Sequence, residues 1–197
     1  MSFLSSFNIG NLFNVFRQFY EVSSSIPEET MEKYKTMSGL KPKEIIRLQN
    51  VFKMAAGDGN DVLALDNFLN MEGIVNNPLK DRIANCFGYD DENAGLDFEG
   101  FLLGVALFNS PGKREMKIKT AFKIQDFDSD GAINKQDLIT YIQRVTAKTL
   151  EEKDIEEVAQ SILLESSSDI NHAFLSFNDF RKVVVALDFQ AKLILPI

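Results

Sequence analysis

The sequence has very few of the residues that build disulfides, soft-metal sites or catalytic clusters. Its 197 residues include one cysteine, one histidine and no tryptophan. The single cysteine, Cys86, excludes an internal disulfide, and the single histidine, His172, excludes a histidine cluster of the kind that binds zinc. No nucleophile–base pair and no phosphate-binding glycine motif can be found. The sequence therefore predicts a protein that is not an enzyme.

Long apolar runs and positive charge are also scarce. Apolar runs such as 101–108 and 183–187 are too short to span a bilayer. Lysines and arginines number 21 against 29 aspartates and glutamates, which gives a net charge of −8. This charge argues against nucleic acid as a partner, because phosphates would repel the chain. No basic leader is present and Ser2 stands where myristoylation requires glycine, so we expect a cytoplasmic protein with at most indirect or weak membrane association.

Residues 126–137 carry the strongest pattern in the sequence. Carboxylates stand at loop positions 1, 3 and 5, glycine at 6, an apolar residue at 8 and an acid at 12, which resembles the EF-hand metal loop. An alternative is an acidic turn that caps a helix without metal, but the full spacing between two amphipathic segments favours the metal loop. The predicted ligands are Asp126, Asp128, Asp130, the carbonyl of Ala132, Asn134 and Asp137.

Asp137 is one methylene shorter than the glutamate usual at position 12. Glutamate binds Ca²⁺ through both oxygens at about 2.3–2.6 Å, whereas an aspartate on the same backbone more naturally offers one oxygen. The resulting six-coordinate site suits Mg²⁺, which prefers octahedral geometry at about 2.0–2.1 Å. We therefore predict one site for Ca²⁺ or Mg²⁺, with weaker Ca²⁺ binding than in a loop closed by glutamate.

Three further loops have the same helix–loop–helix setting but have lost ligands. They are residues 56–67 (loop one), 88–100 (loop two) and 168–179 (loop four), each followed by phenylalanine, and residues 126–137 are loop three. Ala56 and Ser168 stand at position 1 where an acid is needed, and loop two begins and ends with glycine. We expect these loops to be structural, paired through bridges at Leu63–Leu96 and Ile133–Leu175. Loop two keeps several acids, so the alternative is that this loop also binds a metal ion.

The pattern predicts an all-α fold of four EF-hand units in two lobes, with short paired β-bridges between the loops. Predicted domains are a phenylalanine-rich arm (1–37), an N-terminal lobe (38–110), a C-terminal lobe (111–188) and an apolar tail (189–197). Helices leading into the loops are predicted at 43–55, 78–87, 113–125 and 150–164, the last capped by Thr149. Helices leaving the loops are predicted at 65–71, 98–108, 135–145 and 177–187.

The two ends leave several interpretations open. The arm carries Phe3, Phe7, Phe13, Phe16 and Phe19 with little charge, so it could pack on its own lobes, contact a partner or anchor at a membrane interface. Its single basic residue before Glu21 makes the anchor the weakest of these. The apolar tail would be an aggregation hazard if exposed, so we expect it to lie in a groove of this protein or of a partner.

Residues 77–83, 121–128 and 186–193 resemble the calcineurin B-like branch of EF-hand proteins, which includes calcineurin B, the calcineurin B homologous proteins and the calcium- and integrin-binding proteins. The resemblance implies a non-catalytic regulatory subunit or adaptor. Such proteins hold an amphipathic helix of a phosphatase, kinase, transporter or receptor tail in a hydrophobic groove. An aspartate closing loop three is a feature of the integrin-binding subfamily and agrees with the Mg²⁺ hypothesis. The degraded loop four departs from the branch and argues against Ca²⁺ sensing.

Our hypothesis from the sequence is a metal-binding adaptor that holds a partner helix and has one Ca²⁺ or Mg²⁺ site in loop three. The alternative is a constitutive structural subunit of a larger assembly, for example a cytoskeletal or ciliary one, with little or no calcium regulation.

Overall fold

The computed structural model describes residues 26–90, 95–109, 114–147 and 149–186. These residues form two compact units, the second of which begins at Arg114. The phenylalanine-rich residues 1–25, the linker residues 110–113 and the apolar residues 187–197 lie outside the described residues, as do loop-two residues 91–94 and Lys148.

The first unit contains two helix–loop–helix hands and one additional helix. Its elements are α1 (Glu28–Ser38), α2 (Pro42–Ala56), β1 (Leu63–Ala64), α3 (Leu65–Leu69), α4 (Lys80–Phe87), β2 (Gly95–Leu96) and α5 (Phe98–Asn109). β1 and β2 pair antiparallel with Leu63 opposite Leu96. This short bridge joins loop one to loop two.

The sequence explains why α2 and α5 form the centre of the first unit. Pro42 begins α2, and the side chain of Glu44 accepts a 2.7 Å hydrogen bond from the backbone N–H of Lys41 to cap it. Helix α5 is apolar on almost every side because α1, α2 and α4 all pack against it. Phe101 lies at its centre, with ring centroids 5.7 Å from Phe52 and 6.0 Å from Phe87.

The second unit contains the other two hands. Its elements are α6 (Arg114–Gln125), β3 (Ile133–Asn134), α7 (Lys135–Val145), α8 (Glu152–Ser166), β4 (Phe174–Leu175) and α9 (Phe177–Ala186). β3 and β4 pair antiparallel with Ile133 opposite Leu175, so loops three and four share one bridge. Phe122 of α6 lies 5.5 Å, centroid to centroid, from both Phe177 and Phe180 of α9.

The predicted fold class is confirmed: the described residues are mostly helical, and their only paired strands are the two-residue bridges of the EF-hand loops. Both predicted bridge pairs occur in the expected register. The ends of the helices that flank the loops lie within two residues of the predicted ends.

Thr149 does not cap α8, so this prediction was wrong. The helix begins at Glu152, with Glu151 at the N-cap and no side-chain cap hydrogen bond. The Thr149 hydroxyl instead donates a 2.7 Å bond to the carbonyl of Thr146, which closes the turn after α7. Competition from this local side-chain–backbone bond explains the difference.

Helix α1 was not predicted from the sequence, since nearly all of its residues were assigned to the arm. The helix ends at Gly39, which adopts the left-handed conformation (φ 73°) and donates its N–H to the carbonyl of Lys35. Tyr34 contacts Phe98 of α5 edge-on at 5.3 Å between centroids, and Lys33 forms an ion pair with Glu99. These contacts attach α1 to the first unit.

Candidate metal centre

Loop three brings three carboxylates together between α6 and β3. Side-chain oxygens of Asp126, Asp128 and Asp130 lie within 4.8 Å of one another, the only such acidic group among the described residues. Asp126 is buried (6 % exposed), whereas Asp128 and Asp130 face solvent. Three like charges at this distance repel one another, so the cluster favours binding of a cation.

The backbone of loop three already has the turn that a metal loop requires. Asp126 accepts hydrogen bonds from the N–H groups of Asp130 (3.1 Å) and Gly131 (3.0 Å), and Asp130 accepts one from Ala132 N–H (2.8 Å). Gly131 has φ 88°, a conformation that strains residues with a Cβ. The backbone amides of the loop therefore already orient its carboxylates. Less conformational entropy is then lost when the loop binds a metal ion.

The position-12 residue, Asp137, accepts backbone hydrogen bonds at the start of α7. Asp137 is 3 % exposed, and its two oxygens accept 2.9 Å hydrogen bonds from the N–H groups of Phe127 and Asn134. The Asn134 side-chain oxygen in turn accepts hydrogen bonds from the N–H groups of Gln136 and Asp137. Asn134 and Asp137 thus form a reciprocal capping box at the start of α7, and the Asn134 amide also donates a 3.5 Å hydrogen bond to Asp128 of the acidic cluster.

Opposing effects act on the pKa of Asp137. Burial raises it, the backbone hydrogen bonds from Asn134 and Phe127 lower it, and the charges of Asp128 and Asp126 raise it further, with a net upward shift. A cation next to this carboxylate would favour its ionised form.

The residues present fit a hard divalent cation. All the donors are oxygens, which Mg²⁺ and Ca²⁺ prefer, and no sulfur or imidazole ligand is among them. Asp126, Asp128 and Asp130 would hold the ion. Each oxygen of Asp137 accepts one N–H bond, from Phe127 or from Asn134, and keeps a further acceptor site that could face the ion.

Loop four closes without such a carboxylate cluster, through hydroxyl groups. Oδ2 of Asp179, at position 12, accepts hydrogen bonds from the hydroxyls of Ser168 (2.9 Å) and Ser176 (2.6 Å). Ser168 is the position-1 residue, so one direct hydrogen bond joins the two ends of the loop that a metal ion would otherwise bridge. Asp169 supports the turn by accepting bonds from the N–H groups of Asn171 and Ala173. We call the Ser168, Ser176 and Asp179 group the hydroxyl clasp.

The hydroxyl clasp sets the charge state of Asp179. Burial opposes ionisation, but the hydrogen bonds from Ser176 and Ser168 outweigh it and lower the pKa from 3.8 to about 2. Because the folded pKa lies below the unfolded value, the ionised carboxylate contributes stability that is present above pH about 4 and is lost as the pH falls toward 2.

We expect Ser176→Ala to lower the free energy of unfolding by about 1–2 kcal/mol, because Asp179 loses one hydroxyl donor and its N–H loses the Ser176 oxygen that caps α9. Urea unfolding followed by circular dichroism measures this. The loss should be the same with Mg²⁺ or with EDTA, and the variant's stability should fall less steeply than wild type between pH 4 and pH 2. An equal pH dependence in both proteins would contradict the role given to the hydroxyl.

Loops one and two are held by other groups. In loop one, the side-chain amide of Asn60 donates a 2.9 Å bond to the carbonyl of Ala56 and so spans the start of the loop. Tyr89, which is 1 % exposed, donates its hydroxyl to the carbonyl of Leu63 at 2.9 Å. This bond ties the beginning of loop two to β1.

Sequence reasoning missed Ser168, Ser176 and Tyr89 as groups that hold loops. Ser168 was counted only as the loss of an acid at position 1. The pairing of a hydroxyl at position 1 with an acid at position 12 was the available signal, since a hydroxyl can donate to a carboxylate that no metal neutralises. No comparable signal marks Tyr89.

Paired helix–loop–helix units with a bridge between their loops, and the acid spacing of loop three, define this chain as an EF-hand protein. A scan against protein-family models found no match. Comparison with curated proteins did find relatives. The chain is 29% identical over 173 residues to the calcineurin B subunit of Naegleria gruberi, covering 87% of this chain and 96% of that protein. It is 30% identical over 151 residues to the type 2 calcineurin B subunit of Rattus norvegicus, covering 77% and 85%.

A third relative, the calcineurin B subunit of Candida glabrata, is 29% identical over 153 residues, covering 77% of this chain and 86% of that protein. The chain belongs to the calcineurin B-like family of EF-hand proteins. It is an EF-hand protein of the regulatory, non-catalytic type, as the sequence predicted. Among its described residues no helix is both long enough and apolar enough to cross a membrane.

Proposed function

We propose that this protein is a cytoplasmic regulatory subunit or adaptor that holds an amphipathic helix of a target protein and has one divalent-metal site, in loop three. The observation that carries the metal site is the convergence of Asp126, Asp128 and Asp130 in a loop whose backbone is already turned. The metal would fix the angle between α6 and α7, the two helices that flank the loop. Asp137, Asn134 and the Ala132 carbonyl would complete the ligand shell.

The proposed ion at rest is Mg²⁺. Support comes from the short side chain of Asp137, which is oriented by N–H bonds from Phe127 and Asn134 and more naturally offers one oxygen than the two that a glutamate gives Ca²⁺ at position 12. An octahedral Mg²⁺ shell completed by water needs only one oxygen from Asp137. Ca²⁺ would bind in the same loop with lower affinity than in a loop closed by glutamate.

We expect Asp137→Glu to raise Ca²⁺ affinity about tenfold and to leave Mg²⁺ affinity within a factor of about three, because the longer side chain can supply a second oxygen. Titration calorimetry with each ion, alone and in competition, measures both affinities. Submicromolar Ca²⁺ binding by the unmodified protein that millimolar Mg²⁺ does not weaken would contradict the Mg²⁺ assignment.

The partner proposal is supported by the family rather than by a bound chain. The relatives are named as subunits, so each functions attached to another protein. The target class proposed is the amphipathic helix of a phosphatase, with kinase, transporter or receptor-tail helices as further candidates. Nucleic acid is not proposed, because the net charge of −8 opposes it.

A second candidate function is constitutive assembly without calcium regulation. It is favoured by the hydroxyl clasp, which closes loop four with no metal, and by the Asn60 bond that spans the start of loop one. In this interpretation the protein is a permanent structural component of its assembly, and loop three contributes little to partner binding.

Affinity purification of the tagged chain with Mg²⁺ or with EDTA distinguishes the two functions. The regulatory proposal predicts that EDTA reduces partner retention at least threefold, because loop three would lose the ion that sets the α6–α7 angle. Equal retention in both buffers would favour the constitutive role. Mass spectrometry of the retained proteins identifies the target in either case.

A further inference from the structure

A cavity of about 480 Å³ lies within the first unit, between α1, α2, loop one and the start of α5. Its volume is in the range of about 300–1,000 Å³ that is usual for ligand pockets. The metal site of loop three belongs to the second unit and does not account for it.

One wall of the cavity is aromatic. Tyr34, Phe52 and Phe98 line it. Phe98 contacts Tyr34 at 5.3 Å and Phe52 at 5.6 Å between centroids, both edge to face. Phe52 is 4 % exposed, while Tyr34 and Phe98 are half-buried. The three rings are therefore fixed by packing and still border open space, an arrangement that suits the binding of a cation against aromatic faces.

The rest of the cavity is rich in carboxylates. Asp58, Asp61, Asp97 and Glu99 line it, against Lys53 as the one basic lining residue. Glu99 is paired with Lys33, and one oxygen of Asp97 accepts the N–H of Gly100. Asp58 and Asp61 are exposed and have no hydrogen bond or ion pair with any described residue. The cavity thus offers negative charge that the unit itself does not neutralise.

These carboxylates do not form a metal site. A hard cation needs oxygens that converge to coordination distance, and among the described residues only the loop-three aspartates converge within 4.8 Å. Dispersed carboxylates around an aromatic wall fit a larger organic cation, whose charge is spread over several atoms.

We infer that this cavity binds an arginine side chain of a partner polypeptide. The planar guanidinium can stack on an aromatic ring and donate to carboxylates in the same plane, which a lysine ammonium cannot do. The aliphatic part of the arginine side chain would lie along the rings of Tyr34 and Phe98. The cavity would thereby select partners with a basic residue, independently of the metal in loop three.

The test uses the full-length ¹⁵N-labelled protein in EDTA and two blocked amino acids as probes. N-acetyl-arginine methylamide carries the guanidinium, and N-acetyl-citrulline methylamide has the same shape without the charge. The arginine probe should produce saturable shifts of the Gly57, Gly59 and Asn60 amide signals in NMR spectra, and the citrulline probe should not. The shifts should weaken as NaCl is raised, because the attraction is between exposed charges.

The variant Asp58→Asn/Asp61→Asn should bind the arginine probe about three- to tenfold more weakly, since two exposed carboxylates are neutralised without change of shape. Tyr34→Leu should weaken it as well. Asp66→Asn is the matched control, because Asp66 is an exposed carboxylate of α3 that does not line the cavity. Binding by the citrulline probe equal to that of the arginine probe, or unchanged binding in the double variant, would overturn the inference. Tighter binding of free arginine than of the blocked form would assign the cavity to a small metabolite and overturn the polypeptide partner.

Discussion

Asp128→Asn/Asp130→Asn is expected to lower the affinity for Mg²⁺ and Ca²⁺ at least about 100-fold. Removing a residue that only orients a metal ligand already lowers metal affinity about 10–100-fold, and this variant removes two negative charges from the metal ligands themselves. The fold should survive, because both side chains face solvent. The amide oxygen of asparagine can still accept the N–H bonds that Asp128 and Asp130 receive from Asp130 and Ala132.

Titration calorimetry gives the affinity, and thermal unfolding gives an independent measurement. An ion at 100 times its dissociation constant stabilises the folded state by about 2.7 kcal/mol, so Mg²⁺ should raise the unfolding temperature of the wild type and not of the variant. Asp154→Asn is the matched control, an exposed carboxylate of α8 in the same unit. Metal binding by the double variant that equals the control would show that loop three is not the site.

Loop three shows how far sequence can predict this site. Its turn follows from Gly131 at position 6, and its carboxylates converge because the residues at positions 1, 3 and 5 fold back onto their own amides. The bridge register also follows from sequence, because an apolar residue at position 8 of each loop must be buried: Leu63 and Ile133 are both 0 % exposed.

Other features depended on distances that no sequence pattern states. The role of Asp137 as a ligand stays a prediction, but no sequence pattern shows that its oxygens also accept the N–H groups of Phe127 and Asn134. Helix α1 has a weak apolar seam of Met31, Tyr34 and Met37, all half-buried, so its position depends on tertiary contacts with α5. For α1, tertiary packing decided the outcome rather than local propensity.

The two units also differ in the contacts that hold their helix–loop–helix hands together. The clasp of loop four uses side-chain hydroxyls on a buried carboxylate, so its strength depends on the ionisation of Asp179. The first unit relies on packing: Phe87 of α4 lies within 6.0 Å, centroid to centroid, of Phe68, Phe101 and Phe108. Helix angles in the first unit should therefore be insensitive to divalent ions.

Gly104→Ala is expected to lower the free energy of unfolding by about 2–3 kcal/mol. In an exposed helix the same change would stabilise by about 1 kcal/mol, because glycine has the greater conformational entropy to lose. Here the new Cβ would overlap Cδ1 of Phe87 and would lie 2.6 Å from two further ring atoms. Phe87 is 5 % exposed and packed among other rings, so it has no free rotamer to adopt. Urea unfolding followed by circular dichroism measures the loss.

Gly100→Ala, in the same helix, provides the comparison. Its Cβ would approach the Cδ1 of Leu96 at 2.7 Å. Leu96 is also buried, but a terminal methyl group needs less displacement than an aromatic ring, so the expected loss is smaller than that of Gly104→Ala. The double variant Gly104→Ala/Phe87→Leu should recover part of the stability, because the smaller side chain makes room for the methyl group. The single variant Phe87→Leu is the reference for the double variant. Gly104→Ala as stable as the wild type, with a double variant no more or less stable than Phe87→Leu alone, would show that close packing of α4 on α5 does not hold the second hand together.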